Sequence, residues 1–350
     1  MHAFSAADSV SLAVQRTREF LFRPFNWGTY LKLGLVAIIT EGVGSSLRSS
    51  SRGGHPSGAG PTAYPPFNTT PGIIAVAVAG SLLALFVAMV AFYLVTRLRF
   101  AFFHCLIHNT KEIRPGWHIY REPATRFFWL NVVVGLCFML LVVLIALPFV
   151  AGFWRLFRGI PPGGHPDIGL LLGLVLPLLP IILLLVLAAV LIDLILRDWI
   201  LPHFALENAT AGEAWGSVWA SFNAEAKQFF VYVLLRVALP IVAMAVLFIV
   251  LIIPGLALAG SIGAIEYGIH SAFADSTGGA AVAGAILQGF FGMVALGLLW
   301  LISVCLGGPV GTGIREYALM FYGGRYQTLG DILYPPAPQP PPQTAAPKFA

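Results

Sequence analysis

Residues 168–192, IGLLLGLVLPLLPIILLLVLAAVLI, contain no charged and no polar side chain. Wound as a helix, such a stretch is about 37 Å long at about 1.5 Å per residue, longer than the roughly 30 Å hydrocarbon core of a bilayer. A helix on a soluble domain keeps a polar face for water, and this one has none on any side. The stretch predicts a membrane crossing, and the rest of the chain has to be arranged around it.

Five further segments have similar character: residues 26–43, 73–96, 127–154, 229–253 and 283–306. The first is interrupted by Lys32 and ends near Glu41, so it reads either as a span whose lysine snorkels to the nearer surface or as a re-entrant segment. Charged residues make up 10% of the chain and hydrophobic ones 58%, against about 25% charged in soluble domains, which leaves no large soluble domain to be carved out. The expected fold is all-α, an integral membrane bundle of about six transmembrane helices with amphipathic helices at the cytoplasmic surface.

The expected organisation has three parts. Residues 1–25 lack the basic and apolar regions of a cleaved signal and instead read as an interfacial amphipathic helix. In SAADSVSLAVQRTREFLF, Ser5 is placed to cap, and Val10, Val14 and Leu21 share a face opposite Arg16 and Glu19. Residues 26–334 form the membrane domain. Within it, 44–72 read as a Gly/Ser/Pro-rich exposed loop, 254–282 as a Gly/Ala-rich connection, and Pro177 and Pro180 predict a kink. Residues 335–350, proline-rich, read as a disordered tail able to engage a protein partner.

Orientation follows from the basic residues, which gather at the cytoplasmic ends of spans. With six spans, fourteen of the twenty Lys and Arg fall on one side and only Arg48, Arg52, Arg155 and Arg158 on the other, Lys32 and Arg236 lying within spans. Both termini are then cytoplasmic. An internal repeat also emerges. RFAFFHCLIHN and RDWILPHFALEN each carry an Arg, a His and an Asn five residues after the His, followed by Trp117 or Trp215. Arg315, Glu316 and Tyr317 after the sixth span echo Arg197, Asp198 and Trp199, so the chain reads as three related units.

The runs LFRPFNWGTYLKLG, RLRFAFFHCLIHNTKEIRPGW and LRDWILPHFALENATAGEAW resemble those of uncharacterised prokaryotic polytopic membrane proteins, similar to the membrane domain that accompanies some glycerophosphodiester phosphodiesterases. The resemblance spans most of residues 10–330 and implies a bacterial inner-membrane protein. The His and carboxylate metal site of that family's soluble phosphodiesterase domain has no counterpart among these residues.

Few residues invite chemistry. His104, His108 and Glu112 fall at i, i+4 and i+8, a spacing that on one helix face can ligate a metal, but with no general-base Glu between the histidines the favoured reading is a polar stripe on an interfacial helix. Asp193 ends the fourth span, and Arg197 four residues later predicts a structural ion pair. GGPVGTG, residues 307–313, lacks the Lys and Ser/Thr of a phosphate loop and reads as a helix break or a close-packing site. Cys105, Cys137 and Cys305 have no disulfide or zinc spacing, and no nucleophile triad is recognisable.

No cofactor is expected. The expected partners are membrane lipids, anionic ones above all, and not nucleic acid. Arg97, Arg99, Arg197 and Arg315 at the inner ends of the spans are the expected headgroup ligands. The function expected first is a non-enzymatic membrane component that binds, organises or moves lipid or another amphiphile. The alternatives are a metal-dependent enzyme on the His104, His108, Glu112 face and a small-molecule transporter, the latter suggested by a broken sixth helix.

Overall fold

A computed structural model describes residues 5–41, 71–158, 168–273 and 278–335. The fold is all-α: α1 (Asp8–Phe22), α2 (Trp27–Glu41), α3 (Pro71–Ile107), α4 (Ile113–Ile119), α5 (Arg121–Arg158), α6 (Ile168–Leu194), α7 (Leu201–Leu206), α8 (Ala211–Ala224), α9 (Ala226–Phe273), α10 (Gly279–Gly323) and α11 (Gln327–Leu333). A π-helical turn, Ile195–Ile200, joins α6 to α7. Among the described residues, the helices long and apolar enough to cross a membrane are α3, α5, α6 with its continuation, α9 and α10.

The most apolar stretches of α3, α5, α6 and α9 bury no residue. Their side chains are apolar all round, and lipid solvates an exposed Leu as well as another helix would. The core lies elsewhere, at one end of the bundle. There the inner ends of the long helices meet the short ones, and Phe20, Leu33, Phe100, Phe103, Phe127, Phe229, Tyr232 and Phe321 are almost wholly buried. We call this region the head. At 48 and 45 residues, α9 and α10 are about 70 Å long, enough to cross the bilayer and continue into the head.

Two expectations are corrected. Residues 254–273 are not a connection: α9 runs unbroken to Phe273, with Pro240 and Pro254 inside it. The GGPVGTG segment does not break α10, which passes through Pro309 to Gly323. Its glycines serve close packing instead. A Cβ on Gly308 would fall 2.6 Å from the Gly34 Cα, and one on Gly311 would fall 3.2 Å from the Ala37 carbonyl oxygen, so α2 and α10 touch backbone to backbone.

The first expected span, residues 26–43, is helical over Trp27–Glu41. Tyr30 Oη donates to the Cys305 carbonyl (2.5 Å), Gly34 lies on Gly308, Ala37 lies on Gly311, and Glu41 reaches the level of Arg197. Helix α2 therefore runs alongside α10 in the same direction, and against α3 in the opposite one, with Thr40 at Arg99 and Pro24 at Lys111 just beyond the end of α3. Helix α1 runs antiparallel to α10, with Arg16 on Glu316 and Thr17 beside Gly313. The two 15-residue helices form a hairpin packed on α10. Its tip carries the contacting rings of Phe22, Phe25, Trp27 and Tyr30. Residues 42–70, which hold the expected loop, and 336–350, the expected tail, lie outside the described residues.

Helix α1 forms where expected, and Ser5 Oγ accepts from the Asp8 amide (3.1 Å). Its buried face is Ser9, Ala13, Thr17, Phe20 and Leu21, the first three small and the last two filling the core, while Val14 stays exposed.

The repeated His-to-Asn spacing has a physical basis. Asn109 (φ 50°) and Asn208 (φ 52°) both sit in the left-handed region that ends a helix, and Asn tolerates it better than most residues. The two units differ by one residue, since Arg99 precedes His104 by five and Arg197 precedes His203 by six. The π turn lies in that interval and absorbs the extra residue.

Candidate functional site

Two features of the head have the concentration of chemistry that marks a candidate site: a buried knot of charges and a groove of aromatic rings. The π turn supplies both.

The knot gathers four arginines and three carboxylates from five helices and the π turn. Glu41, at the end of α2, accepts from Arg197 Nη1 (3.1 Å) and Arg236 Nη2 (3.0 Å). Asp198 is wholly buried and accepts from Arg236 Nε (2.9 Å), Arg315 Nη1 (2.9 Å) and Tyr232 Oη (2.8 Å). Arg197 also donates to Asp193 one turn back, while Arg99 donates to the Thr40 carbonyl (3.3 Å) and lies 4.0 Å from Asp193. Buried charges are tolerable only when paired and hydrogen-bonded, and here nearly every acceptor oxygen serves a guanidinium. Among the described residues, Arg197 Nε and Arg315 Nη2 have no protein acceptor.

Smaller polar ties complete the head. Arg16 pairs with the buried Glu316 (3.3 Å) and caps the end of α3 through the Leu106 carbonyl (2.7 Å). His203 Nε2 lies 2.7 Å from Tyr322 Oη, and its Nδ1 lies 3.4 Å from Glu207, which also accepts from Thr328 on α11. Arg325 holds Glu225 through two nitrogens and lies over the Phe321 ring.

The groove is set by α8. This helix begins with a capping box, Thr210 Oγ1 accepting from the Glu213 amide (3.4 Å) and the Glu213 carboxylate from the Thr210 amide (2.8 Å). It then presents Trp215, Trp219 and Phe222, stacked in sequence at centroid distances of 6.4 and 5.7 Å. Between this ladder, the end of α6 and the start of α9 lies a cavity of about 390 Å³, lined throughout by apolar and aromatic side chains including Leu187, Trp199, Phe229 and Phe230. A second cavity of about 500 Å³ lies on the other side of α6, toward α5, and shares Ile195 and Trp215 with the first. Their size is that of small-molecule sites. Their walls continue into the exposed faces of α6 and α9, where Leu183 and Leu234 are 70% and 61% accessible.

The residues singled out in the sequence fare unequally. Asp193 and Arg197 are paired. Arg197 and Arg315 are corrected as headgroup ligands: both are almost fully buried and bound to internal carboxylates. Arg99 faces the same knot, and Arg97 lies over the Trp117 ring (4.3 Å) and donates to the Trp117 carbonyl. The bases that remain exposed at the head include Arg18, Arg23, Arg114, Arg121, Arg126 and Lys227.

The metal expectation is also corrected. Helix α3 ends at Ile107, so Glu112 lies beyond it at the start of α4 and not on the His104 and His108 face. The two imidazoles do adjoin, at 4.5 Å between centroids, and His104 Nδ1 lies 3.5 Å from Tyr120, whose hydroxyl burial pushes above its ordinary value. Among the described residues no group of three or more His, Cys, Asp or Glu is placed to hold a metal ion.

Sequence reasoning missed Glu41 and Arg236 as partners, and it noticed Trp215 only as a repeat marker. The α8 signal was legible: T-x-x-E at residues 210–213 followed by aromatics at i, i+4 and i+7.

Neither the curated proteins nor the solved structures contain a match to the chain. A family model does match, over residues 4–332, which takes in α1 through nearly all of α11 and hence the α1–α2 hairpin, the charge knot and the aromatic groove together. The chain thus belongs to a family of unknown function, DUF7544.

Proposed function

We propose that this protein is a non-enzymatic component of the bacterial inner membrane that binds lipid, holding an acyl chain in the groove between α6, α8 and α9. The observation that carries the proposal is the 390 Å³ cavity with no polar lining, walled by the Trp215, Trp219, Phe222 ladder where the spans enter the head. Aromatic rings at this level suit a ligand with one apolar end and one wet end. The charge knot serves as the rigid mount, since the π turn that supplies Arg197 and Asp198 also supplies Trp199 to the groove wall.

Two observations favour this reading over the alternatives. The transport reading leaned on a broken sixth helix, and α10 is continuous. The metal-enzyme reading leaned on a helix face that ends before Glu112.

Native mass spectrometry of the full chain released from detergent tests the proposal. Trp219→Ala should lower bound phospholipid about tenfold, equivalent to about 1.4 kcal/mol, with an unchanged thermal transition. Leu140→Ala, on an open face of α5, should leave it unaltered. Equal loss in both variants would reduce the binding to ordinary lipid contact and sink the site.

The proposed orientation places both termini in the cytoplasm, in keeping with the exposed bases of the head. The Ala6 amide donates to Gln228 at the start of α9, so the beginning of the described chain lies in the head with the end of α10. A tag within residues 54–60 should react with a membrane-impermeant reagent from outside, and a tag after Ala350 should not. Both tags on one side would overturn this arrangement.

A further inference from the structure

The face of α1 that carries Val10, Val14 and Phe22 is not buried against the head. It forms one wall of a separate cavity of about 340 Å³, whose other walls are Leu239 and Ala243 of α9 and Pro309 and Val310 of α10. This cavity shares no residue with the α8 groove. Its lining contains a single charged side chain, Arg18. Among the described residues Arg18 has no carboxylate within ion-pairing distance and donates no hydrogen bond, unlike its neighbour Arg16, which is bound to Glu316 and two carbonyls.

An unpaired guanidinium on the wall of an otherwise apolar cleft is complementary to a ligand with an anionic group attached to a hydrocarbon body. A guanidinium also matches phosphate geometry with two parallel donors, which an ammonium does not. The occupant is a membrane lipid, because Leu239 and Ala243 belong to α9 just beyond Arg236, where the helix leaves the head for its apolar stretch. From that side a hydrocarbon chain enters without crossing water.

We infer that the cleft between α1, α9 and α10 is a second lipid site, selective for an anionic phospholipid whose phosphate is held by Arg18. It rests on the membrane-spanning reading of α9 and α10 but not on the α8 groove, and the experiment separates the two.

The full chain, delipidated in detergent, is titrated with phosphatidylglycerol and with phosphatidylcholine of the same chains, and occupancy is read by native mass spectrometry. Wild type should prefer phosphatidylglycerol. Arg18→Ala should reduce phosphatidylglycerol affinity about fivefold, equivalent to the about 1 kcal/mol that a basic side chain contributes beside anionic lipid, and leave phosphatidylcholine unchanged. Arg18→Lys should recover part of the preference. Val14→Trp, which fills the cleft from an exposed position, should lower both lipids at this site. Trp219→Ala should leave the phosphatidylglycerol preference intact even though it empties the α8 groove. An unchanged preference in Arg18→Ala overturns the inference, as does loss of the preference in Trp219→Ala. A Trp219→Ala variant with no lipid loss at all would instead sink the α8 groove alone.

Discussion

Asp198→Ala should destabilise the head by about 3–5 kcal/mol, because it removes the buried carboxylate that Arg236, Arg315 and the Tyr232 hydroxyl share, leaving Arg236 with Glu41 and Arg315 with the Arg197 carbonyl alone. Such a loss is a large part of the about 5–15 kcal/mol that keeps a typical domain folded. The expected observation is a thermal transition in detergent many degrees lower, or aggregation on size exclusion. Asp331→Ala, on the exposed side of α11, should stay within about 0.5 kcal/mol of wild type. Asp198→Asn and Arg315→Gln, single and combined, form a double-mutant cycle whose coupling should exceed about 0.5 kcal/mol. A wild-type transition in Asp198→Ala would mean that the knot is not what holds the spans together.

Gly308→Leu should be comparably damaging for a different reason. The new Cβ meets the Gly34 Cα at 2.6 Å, and backbone has no rotamer with which to give way. Even Gly308→Ala, the smallest step, overpacks the site and should cost about 1–3 kcal/mol. Either change pushes α2 off α10 and draws Glu41 away from Arg197 and Arg236. Cysteines at Leu35 and Val310, exposed to a thiol reagent, should label faster in Gly308→Ala than in the otherwise wild-type chain. Gly289→Ala is the control, since nothing lies within 4 Å of the added methyl, and it should leave both stability and labelling unaltered. Tolerance of leucine at position 308 would refute the close α2–α10 contact.

The long apolar runs were legible because a helix that is apolar on every face has one solvent. Residues 168–192 needed no partner to be read as a crossing, and α6 spans Ile168–Leu194. Asp193 and Arg197 were legible for the same local reason, one turn apart on one helix. Reading failed where residues far apart in the chain meet. The inner-end arginines had been assigned outward because sequence shows only that a base lies at a membrane border, not which way it points. Arg315 turns inward because Asp198, 117 residues earlier, waits there, and that carboxylate is fully buried. The glycines of residues 307–313 had two readings, a break or a contact, and only the presence of Gly34 opposite Gly308 selects the second.

The sequence by itself determined the class of the protein, the positions of its main apolar runs, the α1 helix and the matched His-to-Asn spacing that ends at Asn109 and Asn208, all of which depend on hydropathy and spacing within a few residues. The tertiary structure alone decided that α2 packs backbone to backbone on α10, that Arg197, Arg236 and Arg315 share two buried carboxylates with each other, and that Arg18 is left unpaired beside a cleft among the described residues. Those outcomes depend on which side chains meet across tens to hundreds of residues, and a charge records its sign in the sequence but not its partner.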